Sequence, residues 1–156
     1  VYDFLDEQQN IKSFFIEIGG EIRSTSLKSN DQPWKAGIVN PSDQDKIIYT
    51  FLSSSFDSFA LATSGDYRNS RILDEKEFSH TMNTFSGFPS SFSKKSVTVI
   101  SENAMKADAL ATALNAMKLE QAINYSNKEG IKALFITEIE GQTKLLFSDD
   151  LEQVKI

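Results

Sequence analysis

The stretch Asn103–Met117, NAMKADALATALNAM, constrains the fold more than any other part of the chain. Ala, Leu, Met and Lys are strong helix formers and fill it almost without a break, so it reads as one helix. Ser101 or Asn103 supplies the side chain that caps its start. Asp108 and Thr112 stand four apart and leave the helix from the same face. An acid and a hydroxyl among small alanines have two readings. One is a solvated polar face on a packed helix. The other is a pair of oxygen ligands for magnesium, which often takes only one or two protein oxygens and leaves the rest to phosphates and water.

The sequence ahead of this helix is rich in aromatic and β-branched runs. Ile11–Ile18, Glu21–Thr25, Trp34–Val39, Lys46–Leu52, Ser58–Thr63 and Val97–Ile100 read as strands, and Val1–Gln9 as an amphipathic helix. Tyr67–Asp74 is polar and reads as irregular, Glu77–Met82 as a short strand carrying His80, and Asn83–Lys95 as a loop. After the organising helix, Leu119–Asn127 reads as a second helix stopped by Lys128-Glu129-Gly130. Ile131–Glu138 and Thr143–Phe147 form a hairpin around Glu140-Gly141-Gln142, and the tail from Ser148 opens like a capped turn. Strands, then a helix pair, then strands predict an α+β fold: a mainly antiparallel meander with a packed helix pair.

At 156 residues, one domain is the natural count, and a 40% hydrophobic fraction with 12 Phe is enough for a core. The absence of cysteine removes disulfides, thiolate metal sites and cysteine nucleophiles together. A net charge of −6 with no basic stripe argues against nucleic acid as a partner. An anionic ligand then needs a metal or backbone N–H groups to hold it.

Outside the helix, four places carry chemistry. His80 is the sole histidine, the one side chain whose unperturbed pKa lies near neutrality, and it precedes a loop rich in Gly, Ser and Pro. Thr63-Ser64-Gly65-Asp66 reads as a sharp turn after a strand, either an ordinary turn or a cradle of N–H groups for an anion. Gly19-Gly20 reads as a bulge or as a close approach of backbone to ligand, with Glu17 and Glu21 on either side. Trp34, the sole tryptophan, reads as core rather than as a stacking platform.

Five stretches in order resemble the ApbE family of flavin transferases: FIEIGGEIRS (15–24), WKAGIVNP (34–41), ALATSGDYRN (60–69), HTMNTFSG (80–87) and SVTVISENAMKADALATAL (96–114). Members of that family bind FAD and magnesium and transfer FMN onto a Ser or Thr of a target protein, releasing AMP. Relatives hydrolyse FAD to FMN and AMP. The resemblance implies Asp108 and Thr112 as metal ligands and His80 as the functional histidine. Gly19, Gly20, Glu21, Thr63, Ser64, Gly65, His80 and Thr81 would line the FAD cleft. The implied partner is a flavin-acceptor protein subunit of a redox complex.

The chain departs from the family pattern at Thr81, Thr84 and Phe85, where the family has Ile, Pro and a basic residue. Those departures leave open a diphosphatase or a non-catalytic flavin-binding module. The opening VYDFLDEQQN lacks an initiator Met and reads as the middle of a helix. The expectation is that residues 1–156 are the C-terminal portion of such a domain, inactive when isolated, with the N-terminal half elsewhere. Family members are bacterial and many are periplasmic lipoproteins, so the expected location is the periplasm or cell envelope. Any membrane contact would come through an N-terminal lipid anchor not contained in these residues.

Overall fold

The computed structural model describes residues 1–65, 70–73, 76–79, 82, 87 and 96–154. Its centre is a six-stranded, wholly antiparallel sheet in the order β1-β2-β5-β8-β9-β10. The strands are β1 (Phe15–Ile18), β2 (Glu21–Ser24), β5 (Phe59–Gly65), β8 (Ser96–Ser101), β9 (Lys132–Ile139) and β10 (Gln142–Phe147). The α+β reading holds, but the meander is interrupted. Between β2 and β5 the chain leaves the sheet as a separate antiparallel pair, β3 (Lys35–Asn40) and β4 (Asp43–Leu52).

One face of the sheet takes this β3–β4 pair. Phe59, Leu61, Ile100, Leu134 and Ile136 are buried beneath Ala36, Ile38 and Phe51 from the pair, with Phe56 and Leu151. A small knot holds the pair in place. The Ser53 hydroxyl accepts from Trp34 N at 2.9 Å and donates to the Ser26 carbonyl, while Trp34 Nε1 donates to Thr25 Oγ1 at 3.3 Å. Trp34 is half-buried and lies against the Phe15 ring with centroids 5.3 Å apart, so it is packed as the sequence suggests.

The other face takes α2 (Ala104–Ala116) and α3 (Leu119–Lys128), where Val97, Val99, Ala133 and Phe135 are buried under Ala111, Leu114 and Ala122. Asn103 caps α2: its backbone is extended and its Oδ1 accepts from Lys106 N at 2.8 Å. Alanines bring α2 close to the sheet. Ala107 and Ala111 on the helix, and Ala60 and Ala62 on β5, are all fully buried. Gly130, at φ +63°, stops α3. Glu140 and Gly141 both take positive φ, the two-residue turn that matches strand twist, and close the β9–β10 hairpin. Ser148 starts α4 (Asp149–Glu152), and its hydroxyl donates to the Ile131 carbonyl at 2.7 Å.

Four sequence expectations shift. The first helix, α1, covers only Tyr2–Asp6, because none of its residues is fully buried and its packing rests on Tyr2, edge-on to Phe14 with centroids 4.9 Å apart, too little to propagate a longer helix. Its link to the sheet is Arg23, which lies 3.6 Å over the Tyr2 ring and 3.6 Å from Asp3. Burial, with help from Asp6, pushes the Tyr2 hydroxyl above its ordinary pKa. β1 begins at Phe15 rather than Ile11, since its partner β2 runs out at Ser24. Ser70–Leu73, expected to be irregular, is strand β6, paired with β7 (Lys76–Ser79). A hairpin ladder is satisfied by backbone alone, so polar composition concealed it. Last, Ser64 and Gly65 do not break β5; they continue it, because β8 offers partners as far as Ser96.

Candidate functional site

Sheet alternation decides which side chains can meet. Val97 and Val99 pack under α2, so Thr98 and Ile100 face the opposite side, toward the β3–β4 layer. Through the registers Thr98↔Thr63, Ile100↔Leu61 and Leu61↔Ile22, the residues on the α2 side are Ser64, Ala62 and Ala60 of β5 and Glu21 and Arg23 of β2.

α2 touches β5, β8 and β2, with α3 on its other side. Leu110 packs against the cluster that holds Ala122 of α3 together with Ile131 and Ala133. Asp108 is two positions earlier, about 160° round the helix at 100° per residue, and so lies on the flank toward β2. Thr112 is one turn further along the same flank, and both are exposed. The short link from β8 makes α2 run back antiparallel to that strand. Thr112 is therefore nearer than Asp108 to the Gly65 end of β5.

The Gly19–Gly20 turn reaches the same corner. The β2–β5 register ends at Ile22↔Leu61, and carried two residues on it brings Gly20 level with Thr63. Gly19 has φ +71° and Gly20 φ +111°. A Cβ on Gly19 would stand 3.0 Å from Glu21 Oε2, so a side chain there would meet a strained backbone conformation and need the Glu21 carboxylate to give by a few tenths of an ångström. The Gly20 N–H donates to Glu17 Oε1 at 2.8 Å. Beside the turn, Ala62–Gly65 pair with β8 on one edge and lie beyond the β2 register on the other. Among the described residues no strand pairs with that edge.

Strand register and helix periodicity thus put Glu21, Ser64, Asp108 and Thr112 on the α2 side of the sheet, toward the end where β5 finishes at Gly65 and the Gly19–Gly20 turn lies. Strand alternation separates Thr63 from them: its side chain faces away from α2, where its Oγ1 is 2.8 Å from Thr98 Oγ1. The reading of Thr63–Gly65 as a turn cradle is corrected accordingly, because these are strand residues whose side chains alternate. His80 and Thr81, and the departures at Thr84 and Phe85, lie outside the described residues. Thr98 was missed as a candidate; the signal was a polar residue inside the apolar run SVTVIS.

Among the described residues no group of three or more His, Asp or Glu side chains converges on a metal position. The donor set at the corner is one carboxylate and one hydroxyl, both hard oxygens on an accessible helix flank. That set suits a magnesium ion completing its shell from phosphate and water. The site is not a closed cavity among the described residues. Among the described residues a cavity of ≈ 580 Å³ lies at the far end of the sheet, lined by Phe56, Ile100, Lys106, Leu110, Ile131 and Lys132 among others. It holds none of the candidate residues, so size alone does not locate the chemistry. No helix among the described residues is long and apolar enough to cross a membrane.

Comparison with known proteins gives the family. The ApbE family model matches residues 1–135. The FAD:protein FMN transferase of Vibrio cholerae is 35% identical over 136 residues, which cover 87% of this chain and 40% of that relative. Its counterpart in Escherichia coli K12 is 32% identical over 133 residues, 85% of this chain and 37% of the relative. The structure of a histidine-to-glycine mutant of the flavin transferase ApbE from Vibrio cholerae superposes with TM-score 0.79 at 31% identity, over 99% of this chain and 48% of that one. The Pseudomonas stutzeri flavinyl transferase ApbE gives 0.76 at 28% identity, over 93% of this chain and 44% of that one. This chain spans about two fifths of the length of the curated relatives it matches. A family match across residues 1–135, joined to the shared sheet and helix arrangement, makes this chain a member of the ApbE family.

Proposed function

We propose that the intact protein containing this chain is a magnesium-dependent FAD:protein FMN transferase, attaching FMN to a Ser or Thr hydroxyl of an acceptor protein and releasing AMP. Support for this reading comes from helix spacing and strand register, which put Asp108 and Thr112 on one exposed flank of α2, on the side of the sheet toward β2 and the end of β5. The names of the relatives support the transferase activity.

Asp108 and Thr112 would hold the magnesium. Bound there, the ion would neutralise the FAD diphosphate and stabilise charge on the departing AMP oxygen. In a chain of net charge −6, that neutralisation has no basic cluster to replace it. Gly19 and Gly20 offer bare backbone, letting a flat ligand approach the sheet edge without meeting a side chain. Their amide donor at Gly20 is already taken by Glu17, so the turn shapes the site rather than binding an anion. Ser64 presents its hydroxyl on the α2 side of the same corner.

In the transfer step the acceptor hydroxyl oxygen bonds to the phosphorus on the FMN side while the bond from that phosphorus to the AMP oxygen breaks. The hydroxyl proton must leave in the same process, and His80 is the residue proposed to take it. That role rests on the family resemblance of HTMNTFSG. The same resemblance supports placement in a bacterial periplasm or cell envelope, which cell fractionation would test.

The test of function is AMP release from FAD and magnesium by the intact protein, with and without acceptor. Release matched one-for-one to flavin bound on the acceptor is the expected result. Continuous release without acceptor would instead identify a diphosphatase, and tight FAD binding with no AMP would identify a binding module.

A further inference from the structure

Thr63 and Thr98 stand directly opposite one another in the β5–β8 register, with Oγ1 atoms 2.8 Å apart. Thr98 is 1% exposed, whereas Thr63 is half-buried and reachable. A hydroxyl carries one proton and two lone pairs. Holding one of these fixes the Thr63 rotor and leaves its remaining capacity directed at whatever meets the strand from outside.

The pair belongs to a short polar row. One pair further on, Gly65 opposes Ser96, which is 1% exposed and whose Oγ has no hydrogen-bond partner among the described residues. Elsewhere this face carries Phe59, Leu61, Ile100, Leu134 and Ile136, and its other buried hydroxyl, Ser24 opposite Phe59, is satisfied by the Thr25 carbonyl at 2.9 Å. Buried hydroxyls at one end of an apolar face need an account, because unpaired polar groups are costly there. The row begins where β5 outruns β2, and Ser64 on the same strand faces the metal-ligand flank of α2.

We infer that Thr98 is a positioning residue: acting through Thr63, it presents a hydroxyl to a sugar portion of the bound dinucleotide, on the sheet face opposite Asp108 and Thr112. The inference rests on the FAD reading above and adds to it that the ligand straddles the end of β5. Its diphosphate lies on the α2 side, drawn by the metal, and a hydroxyl-bearing portion lies on the Thr63 side. Hydroxyls pair well with hydroxyls because each both donates and accepts. The sugar is either the ribityl chain or the ribose of the adenosine half.

The test uses Thr98→Val, which keeps shape and strand preference and removes the hydroxyl, and Thr98→Ser, which restores it. In the intact protein, FAD dissociation constants are measured with magnesium, alongside riboflavin, AMP and thermal stability. Thr98→Val should bind FAD about five- to tenfold more weakly, the worth of one hydrogen bond. Its magnesium affinity should be unchanged, and Thr98→Ser should return FAD binding to within about twofold of wild type. A matching loss with riboflavin assigns the ribityl chain, and one with AMP assigns the ribose. Unchanged FAD binding in Thr98→Val overturns the inference and leaves the transferase reading intact. So does a loss that tracks unfolding and is not rescued by serine. A wild-type protein that binds no FAD overturns the reading underneath, and this inference with it.

Discussion

Glu17 Oε1 accepts the Gly20 N–H at 2.8 Å, closing the Gly19–Gly20 turn from within. The bond turns a flexible glycine pair into a fixed shape. With Glu21 Oε2 at 3.0 Å from where a Gly19 Cβ would stand, both acids of the turn are arranged around its missing side chains. The turn therefore contributes form to the corner of the sheet, and on the proposed reading the charge-binding groups come from α2.

Replacing Gly19 tests that division of labour. Gly19→Ala must hold φ +71° and push Glu21 aside. It should cost about 1–2 kcal/mol in urea unfolding, the usual penalty for an L-residue in this region. FAD binding should fall while magnesium binding persists.

Thr112 separates a ligand from a surface residue. It is exposed, so Thr112→Val and Thr112→Ser should both stay within about 0.5 kcal/mol of wild-type stability. Thr112→Ser should retain magnesium affinity by isothermal titration. Thr112→Val should weaken it about tenfold or more, having lost an oxygen donor. Equal affinities in the two variants would remove Thr112 from the donor set.

The close seat of α2 depends on alanine. Ala111 is fully buried against Val97 and Val99, leaving no volume for a larger side chain. Ala111→Leu should destabilise by about 1–3 kcal/mol and shift the helix outward. Denaturant unfolding gives the first quantity. Weakened magnesium binding under fully folded conditions would show the second.

The Asn103 cap is a control with the opposite profile. Its Oδ1 bond to Lys106 N satisfies a helix-end donor more than one turn ahead of Asp108. Asn103→Ala should cost about 1 kcal/mol of stability and leave magnesium affinity as it is.

Much of this architecture is written in local signals. Helix α2 was legible because its composition and its Asn103 cap agree, and β9–β10 because Glu140-Gly141 is a strong turn pair between apolar runs. Asp108 and Thr112 share a face by spacing alone, and the structure keeps them together on one flank. What spacing does not contain is which flank, because that depends on the cluster of α3 and sheet residues that Leu110 packs against. Long-range pairing decided the rest. Whether Ser64 and Gly65 are turn or strand depends on β8, over thirty residues away, offering Val97 and Ser96 as partners. The same pairing sent Thr63 to the face opposite Ser64. Ser70–Leu73 was misread because a hairpin ladder needs no apolar alternation.

The central claim is that Asp108 holds the metal on which phosphoryl transfer depends. Its most direct measurement is AMP release from FAD by the intact protein and its Asp108→Ala variant, across a magnesium titration. The account predicts a loss of about a hundredfold or more in the variant, with folding preserved at this exposed position. Turnover in Asp108→Ala at the wild-type rate and with the wild-type magnesium dependence would contradict it.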